Sequence, residues 1–433
     1  MRIGIRREDK NEWEARVPLI PIDVKELVNN GIEVFLQPSS IRIFSDQEYI
    51  DAGATISEDL STCSVILAVK EIPINFIKNG KTYVFFSHTI KGQDYNMPLL
   101  QKMIDAKTQL IDYERIIDEK EQRLIFFGWH AGLAGMIDSF WALGKRFEAE
   151  SVPNPFSKIK KTFEYRGLWN AKKQIDKSAD EIRINGIPEK MRPLVCGFSG
   201  YGNVSQGAQE IFDRVPHREI SPQELLSNHN LFDESKHVIY KVVFKECDMV
   251  EPKNYIDEFE LQDYYDNPEK YKSKFESYLP KLTMLMNCIY WDTPYPRLIT
   301  LDYLKQAWSE SKNQKLRVIG DISCDTKGAI ECNVKCTNPG SLVYTYNPLN
   351  GSVSDEVGCE GPVIMAVDNL PCELAEEASK SFSKALVNFI PQLVMADYNV
   401  DFKDLKLPYE LRRGMILYKG NLTAEYKYLE KYL

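Results

Sequence analysis

Five short apolar runs, rich in β-formers, punctuate the amino-terminal third of the chain: "IGIRR", "EVFLQP", "VILAVK", "YVFFSH" and "TQLIDY". Each has strand length, and helical stretches lie between them. "PIDVKELVNNG" is one of these, closing on a glycine where a helix should stop. Repeated strand–helix alternation argues for a parallel sheet covered by helices. The alternation pauses at "GWHAGLAGMIDSFWALGKRFEAE", a long helical pattern with small residues on one face. A polar, Pro-containing stretch over 151–190 then reads as loop and connector. A second α/β unit opens on "PLVCGFSGYG" and continues through "HVIYKVV", "LTMLMNCIYW" and "LRVIGDIS". Inside it, "DEFELQDYYDNPEKYKSKFESYL" reads as a charged, solvated helical insert. After "GPVIMAVDNLP" the chain returns to helix in "CELAEEASKSFSKALVNFIPQLV".

With 433 residues, two domains are the natural expectation. A net charge of −9 argues against nucleic acid as the main partner, because phosphate binding needs a basic footprint. No apolar run reaches the ~20 residues that span a membrane. The amino terminus, "MRIGIRREDKNEW", starts directly as a strand without a signal-peptide core, so a cytoplasmic location is expected. Nine widely spaced cysteines, an odd number, fit a reducing compartment better than a disulfide scaffold. Cys332 and Cys336 form a C-x-x-x-C pair with no second pair or histidine near them in sequence. They read as packed thiols, and no metal is expected.

Two groups of residues point to chemistry. "LVCGFSGYGNVSQGA" places Gly200, Gly202 and Gly207 between a strand and a helix, with Ser205 where a dinucleotide fingerprint has its third glycine. The turn either presents helix N–H groups to a pyrophosphate or is an ordinary α/β turn. The second group sits at expected strand ends. Arg16 follows the first strand, Lys70 ends "AVK", His88 ends "FFSH", and Lys91 and Gln93 lie just beyond. In a parallel sheet such positions converge on one ligand crevice. Taken singly, Arg16 could be a surface partner of Glu14, Lys91 a solvated loop charge, Lys70 a snorkelling edge residue and His88 a satisfied buried imidazole. His130 falls at the start of the long helix, and His217, His229 and His237 fall near the connections of the second unit.

At these residues the chain resembles the lysine-ketoglutarate reductase portion of α-aminoadipic semialdehyde synthase. It is more distantly similar to the fungal lysine-forming saccharopine dehydrogenases and to the alanine dehydrogenase/transhydrogenase superfamily. The resemblance runs from "GIRREDKNEWEARVPL" through "FFSHTIK", "LIDYERIID", "GNVSQGAQEIF", "NCIYW" and "GDISCDTKGAIE" to "VDNLP" and "LPYELRRGMILYKGNLTAEYKYL". It implies an α/β fold of two Rossmann-like doubly wound parallel-sheet domains flanking a cleft. Residues 1–133, completed by about 366–433, would form the substrate-binding domain, and 134–365 a Rossmann-type dinucleotide-binding domain.

The resemblance also implies residue roles. The catalytic pair falls on Lys70 and His88. Substrate contacts fall on Arg16, Gln93, Arg123, Phe127, Ser323, Cys324 and Asp325, with Lys91 as a further candidate. Cofactor contacts fall on Gly200, Gly202, Asn203, Ser221, Tyr290, Ile322, Val367, Asp368, Asn369 and Leu370. The NAD-using fungal relatives carry an acid where this chain has Ser221. With His217 and Arg218 close by, NADP(H) is expected, and NAD(H) is the alternative. The implied reaction is NADPH-dependent condensation of L-lysine with 2-oxoglutarate to saccharopine, the first step of lysine degradation. An alanine dehydrogenase-type amino-acid dehydrogenase and a non-catalytic cofactor-gated regulatory protein are the alternatives. The expected assemblies are a homo-oligomer or association with a saccharopine-oxidising partner. A mitochondrial location follows instead if the chain is excised from a bifunctional eukaryotic enzyme.

Overall fold

Ile3 to Ile5 and Val65 to Leu67 are buried without a break, so these runs are covered on both faces. That burial is what parallel interior strands require. A computed structural model describes residues 1–227, 235–311 and 314–433, and it separates into two units. One unit comprises residues 1–127 and 375–433, and the other residues 128–374.

The first unit begins with strands β1 (Arg2–Ile5), β2 (Glu33–Leu36), β3 (Thr55–Ile56), β4 (Val65–Leu67), β5 (Thr82–Phe85) and β6 (Gln109–Asp112). They pair in parallel in the order β3-β2-β1-β4-β5-β6, the doubly wound order with its topological switch between β1 and β4. Helices α1 (Pro21–Asn29), α2 (Asp46–Asp51) and α3 (Met97–Asp105) serve its crossovers.

The second unit starts with α4 (Gly128–Ala149) and α5 (Leu168–Asn185), followed by β7 (Val195–Ser199), α6 (Asn203–Phe212), β8 (His217–Glu219), α7 (Pro222–Ser227) and β9 (Ile239–Phe244). Strands β10 (Val250–Pro252) and β11 (Tyr271–Ser273) form a separate antiparallel pair. The sheet resumes with β12 (Met284–Asn287), β13 (Val318–Asp321), β14 (Val343–Tyr346), β15 (Val353–Ser354) and β16 (Val363–Met365). Its order is β15-β14-β16-β13-β12-β7-β9-β8. Apolar clusters line it on both faces, one built on α4 and α6, the other on the Phe244, Phe275 and Tyr278 side chains. The chain then returns to the first unit, where β17 (Met415–Tyr418) and β18 (Asn421–Leu422) complete the sheet beside β6.

Three local expectations are corrected. The sheets are not wholly parallel, since β17 and β18 in one and β14 and β15 in the other run antiparallel at an edge. The 151–190 stretch is not a plain connector, because Leu168–Asn185 is an 18-residue helix. Ala171, Ile175, Ala179 and Ile182 recur at helical spacing along its buried side. The tyrosine-rich insert is not a solvated helix either. It holds a six-residue helix at Leu261–Asp266 and then β11, and it buries Tyr264, Tyr271, Phe275 and Tyr278. Ring burial outweighs the charge count there. Strand β8 is second in sequence within its unit but lies at the sheet edge, because β9 inserts between it and β7. Among the described residues no helix is long and apolar enough to cross a membrane.

Candidate active site and nucleotide site

Pairing between β4 and β5 runs past the strands themselves. Ala68 N–H donates to Val84 O at 3.1 Å, and Phe86 N–H to Val69 O at 3.1 Å. Lys70 and Ser87 therefore leave the sheet at the same level, on adjacent carboxyl ends, where an open α/β sheet presents its ligand site. The buried Glu8, just past β1, accepts the N–H groups of Val69 at 2.7 Å and Lys70 at 2.9 Å. Burial, with Glu14 adding to it, pushes Glu8 up to about 7. Lys70 is partly buried, and desolvation followed by the charges of Arg16 and Lys10 lowers its pKa from the ordinary lysine value.

His88 takes a left-handed backbone conformation, φ +52°, which a non-glycine residue holds only when its surroundings over-determine it. Three contacts do so. Asn96 Nδ2 donates to the His88 carbonyl at 2.9 Å, Phe86 stacks on the ring with centroids 6.2 Å apart, and Nδ1 lies 2.6 Å from Glu71 Oε1. Lys10 Nζ also reaches Glu71, at 3.0 Å. Burial alone would raise Glu71. The bond from His88 and the charges of His88 and Lys10 outweigh it and hold the carboxyl at about 2. Just before His88, the Ser87 N–H donates to Asp112 Oδ2 at 2.9 Å and its hydroxyl bonds the same oxygen, which fixes the carboxyl end of β5 to that of β6. Burial raises the Asp112 pKa. The first unit thus brings Lys70, Glu71 and His88 together.

The other expected substrate residues of this unit are placed differently from one another. Arg16 is buried: Nε bonds Glu14 Oε1 at 2.7 Å, Nη2 bonds Oε2 at 2.6 Å, and the guanidinium lies 4.3 Å from the centre of the Phe127 ring. The partnership with Glu14 is real, but it is not on the surface. Phe127 in turn stacks on Phe382, 5.0 Å between centroids, in a cluster with Phe86 and Tyr113. Arg123 is half exposed and pairs with Glu114. Lys91 and Gln93 are exposed, and Gln93 accepts from the Tyr95 hydroxyl at 3.1 Å.

In the second unit, β7 ends in the glycine turn. Gly200 has φ +86°, a conformation that requires glycine. At Gly202 an added Cβ would meet nothing within 4 Å, so the backbone is bare on that side. The following helix, α6, starts at Asn203 with no side-chain cap, leaving its first N–H groups for an anion. Gly207 plays the close-packing part. A Cβ there would come within 2.1 Å of Trp129 O on α4, and Gly132 meets Val204 O as closely. Ser205 is buried and accepts from Gln209 Nε2 at 2.9 Å. Strand end, bare glycine, uncapped helix and packing glycine fit a pyrophosphate-bearing dinucleotide. Gly200, Gly202 and Asn203 would hold it.

Ser221 and its neighbours lie at the edge of the sheet. Ser221 follows β8, one strand away from β7, and its hydroxyl accepts from Glu224 N–H at 3.0 Å to start α7. Arg218 pairs with Glu224 at 3.0 Å. His217 sits at the amino end of β8, with Nδ1 2.9 Å from Val215 O and Nε2 3.4 Å from Asp213. β9 pairs with β7, and Lys245 follows its last residue, Phe244. Glu246 accepts from the Tyr265 hydroxyl at 2.8 Å and faces Tyr201 of the glycine turn, pushing that phenol's pKa up. Lys245 is exposed, and its ammonium has no partner among the described residues.

The remaining expected positions follow the carboxyl ends of β12, β13 and β16. Tyr290 is exposed and Ile322 buried. Ser323 Oγ donates to Ile289 O, and Cys324 adopts φ +57°. Asp325 caps a turn through its carbonyl, which accepts from Gly328 N–H at 2.8 Å. Val367 and Leu370 are buried, while Asp368 is exposed and Asn369 partly so. Behind them runs a buried polar ladder that sequence reading missed. Ser199 Oγ donates to Asn287 Oδ1 at 2.9 Å, and Asn287 and Asn333 each donate to Asp321 at 2.8 Å. Burial pushes Asp321 up to about 6. Of the other histidines, His130 is buried near the start of α4 and His237 Nδ1 lies 3.1 Å from Ile182 O. His229 lies outside the described residues.

Comparison with known proteins adds an independent line. The alanine dehydrogenase/PNT N-terminal domain family matches residues 4–134. The chain is 36% identical over 445 residues to an α-aminoadipic semialdehyde synthase from Arabidopsis thaliana, matching 99% of this chain and 41% of that protein. It therefore spans less than half the length of that relative. It is 26% identical to a lysine-forming, NAD(+)-named saccharopine dehydrogenase from Yarrowia lipolytica, across 92% of this chain and 93% of the other. Among solved structures, an L-alanine dehydrogenase superposes with a TM-score of 0.61 at 17% identity, covering 100% of this chain and 99% of that one. At that identity the likeness concerns the fold.

Proposed function

We propose, for a chain that belongs to the alanine dehydrogenase/transhydrogenase superfamily and is closely related to the α-aminoadipic semialdehyde synthases and saccharopine dehydrogenases, a reductive condensation of L-lysine with 2-oxoglutarate to saccharopine. At family level the chemistry is that of NAD(P)-dependent amino-acid dehydrogenases. Lysine, 2-oxoglutarate, NADPH and the reductive direction are the proposal. The observation that carries it is the contact of 2.6 Å between His88 and Glu71, immediately beside a lysine whose pKa is lowered. The match to nearly the whole of a protein named as a lysine-forming saccharopine dehydrogenase also supports it.

The reaction needs two proton-transfer groups with different tasks. The ε-amine of the substrate lysine must lose a proton before it attacks the ketone, and the carbinolamine must gain one to release water. With Nδ1 held by Glu71, His88 presents Nε2 as the ring atom that takes the amine proton, and the carboxylate stabilises the imidazolium that results. Lys70, desolvated and beside Arg16 and Lys10, gives up its own proton more readily than an exposed lysine and serves the carbinolamine step. A nicotinamide bound at the Gly200–Asn203 turn would supply the hydride. Arg123, with Lys91 near it in the sequence-derived set, offers charge-assisted bonds to the 2-oxoglutarate carboxylates. Arg16, already matched by Glu14, acts mainly by lowering the Lys70 pKa.

The test is the fate of nitrogen. Lysine labelled at its ε-amine is incubated with 2-oxoglutarate, NADPH and the protein. The proposal expects the label in a secondary amine that joins both carbon skeletons. Label recovered in glutamate, or no label transferred, contradicts it.

A further inference from the structure

The nine cysteines include one pair that is set face to face. Cys324 Sγ lies 3.5 Å from Cys336 Sγ. These two are twelve residues apart in sequence, and the C-x-x-x-C spacing of Cys332 and Cys336 had suggested a different neighbour, but Cys332 is fully buried elsewhere in the core. The contact is held from both sides. Cys324 Sγ lies 2.9 Å from Ala366 O, which also accepts from Thr337 N–H at 2.8 Å, so both cysteine segments register on one buried carbonyl. Cys336 is exposed and Cys324 partly so. Among the described residues no third cysteine, histidine or carboxylate completes a metal site.

We propose that Cys324 and Cys336 form a thiol–disulfide redox site that responds to hydroperoxides and, when oxidised, arrests the segment carrying Ser323, Cys324 and Asp325. Beside this contact, the hydrogen bonds of Cys324 and Thr326 to Cys336 outweigh partial burial and the nearby Asp368 and Asp325 charges and hold the Cys336 thiol at about 6. The nucleophile is thus the accessible member of the pair. Its sulfur attacks the peroxide, an S–O bond forms, the O–O bond breaks, and the departing oxygen is protonated to water or an alcohol. Cys324 then attacks the sulfenic sulfur. The S–S bond forms, the S–O bond breaks, and the thiol proton leaves with the hydroxyl as water. Two thiols are oxidised by two electrons and one peroxide is reduced. A dithiol reverses the step.

The gating part rests on the proposed function and on the family resemblance that puts substrate contacts at Ser323, Cys324 and Asp325. The disulfide part does not. The experiment treats the reduced full chain with hydrogen peroxide, then maps its peptides by mass and assays lysine-dependent NADPH oxidation in parallel. Exposed Cys247 and Cys359 serve as internal references. The expected result is a Cys324–Cys336 linked peptide, two hydrogens lighter, at a dose that leaves both references unmodified. Turnover should be lost with it and restored by dithiothreitol, whereas Cys336→Ser should form no link and keep its turnover under peroxide. A Cys336 that reacts no faster than the references, or that proceeds to sulfinic acid without a link, overturns the site. A link with unchanged turnover overturns the gating. Absence of lysine-dependent turnover in the reduced wild type overturns the proposed function instead, and with it the gating, while the linked peptide still decides the disulfide.

Discussion

Glu71 Oε1 lies 2.6 Å from His88 Nδ1, joining the residue after Lys70 on one strand end to the imidazole at the end of the neighbouring strand. This bond selects the tautomer in which Nε2 is free to act, much as a buried carboxylate orients a catalytic histidine elsewhere. Glu71→Gln keeps the shape and removes the charge. Turnover should fall by about a hundredfold, at the low end of what an acid–base group contributes, with the KM for lysine and the Kd for NADPH little changed. Steady-state kinetics and cofactor titration check this. A proportional rise in lysine KM with unchanged kcat would make Glu71 a substrate contact instead.

Lys70 should show a conflict between function and stability. Its pKa is lowered, so between that value and the ordinary lysine value of about 10.4 the unfolded chain binds more protons than the native one. Stability of the wild type therefore rises with pH through that window, and below it the buried charge is a standing cost. Lys70→Met should lower turnover by roughly 10²–10⁴ yet raise the denaturation midpoint at neutral pH. The gain should shrink as pH approaches the ordinary lysine value. Urea unfolding at several pH values is the measurement.

Arg16 and Arg123 should separate cleanly. Arg16 and Glu14 are 1% and 0% exposed, so Arg16→Ala removes from a buried carboxylate the guanidinium that bonds both its oxygens. That commonly costs ~3–5 kcal/mol of stability. Arg123 is half exposed, and its removal should leave the unfolding midpoint nearly unchanged. If it grips 2-oxoglutarate, losing a charge-assisted bond of ~1.5–3 kcal/mol raises the KM for that substrate by about ten- to a hundredfold. An unchanged KM in Arg123→Ala would pass the carboxylate to Lys91.

How much of this was readable beforehand differs by element. Lys70 and His88 could be found because apolar strand runs end visibly, and residues after parallel strands share one edge. Glu71 stood beside Lys70 in "AVKEIP", but its partner is set by the pairing of β4 with β5, which strand patterns alone do not specify. Arg16 and Glu14 are two residues apart in an irregular segment, so no periodicity announced their buried pair. The edge strands β17 and β18 lie far down the chain from β6, and that pairing is nonlocal. The edge position of β8 is nonlocal in the same way, because β9, which follows it in the chain, inserts between it and β7.

The edge position of β8 bears on the cofactor test. Ser221 lies one strand from β7, whereas Lys245 directly follows β9, which pairs with β7. NADPH should be preferred over NADH, and Lys245→Ala should weaken NADPH while sparing NADH, because a 2′-phosphate loses its cation. Ser221→Asp should have the smaller effect on this ratio. Aspartate caps a helix as well as serine does, so α7 survives the change. Ratios of kcat/KM for the two cofactors decide between the residues. A larger shift in Ser221→Asp than in Lys245→Ala would return the specificity to β8.

The central claim is that this site joins lysine to 2-oxoglutarate. Its most direct test follows the near-ultraviolet absorbance of NADPH in the presence of the purified full chain and 2-oxoglutarate, with lysine or ammonia as the amine. The account predicts oxidation that requires lysine, saturates in both substrates, and is lost in Lys70→Met and in His88→Ala. Oxidation that proceeds equally with ammonia, or that lysine leaves unchanged, would contradict it.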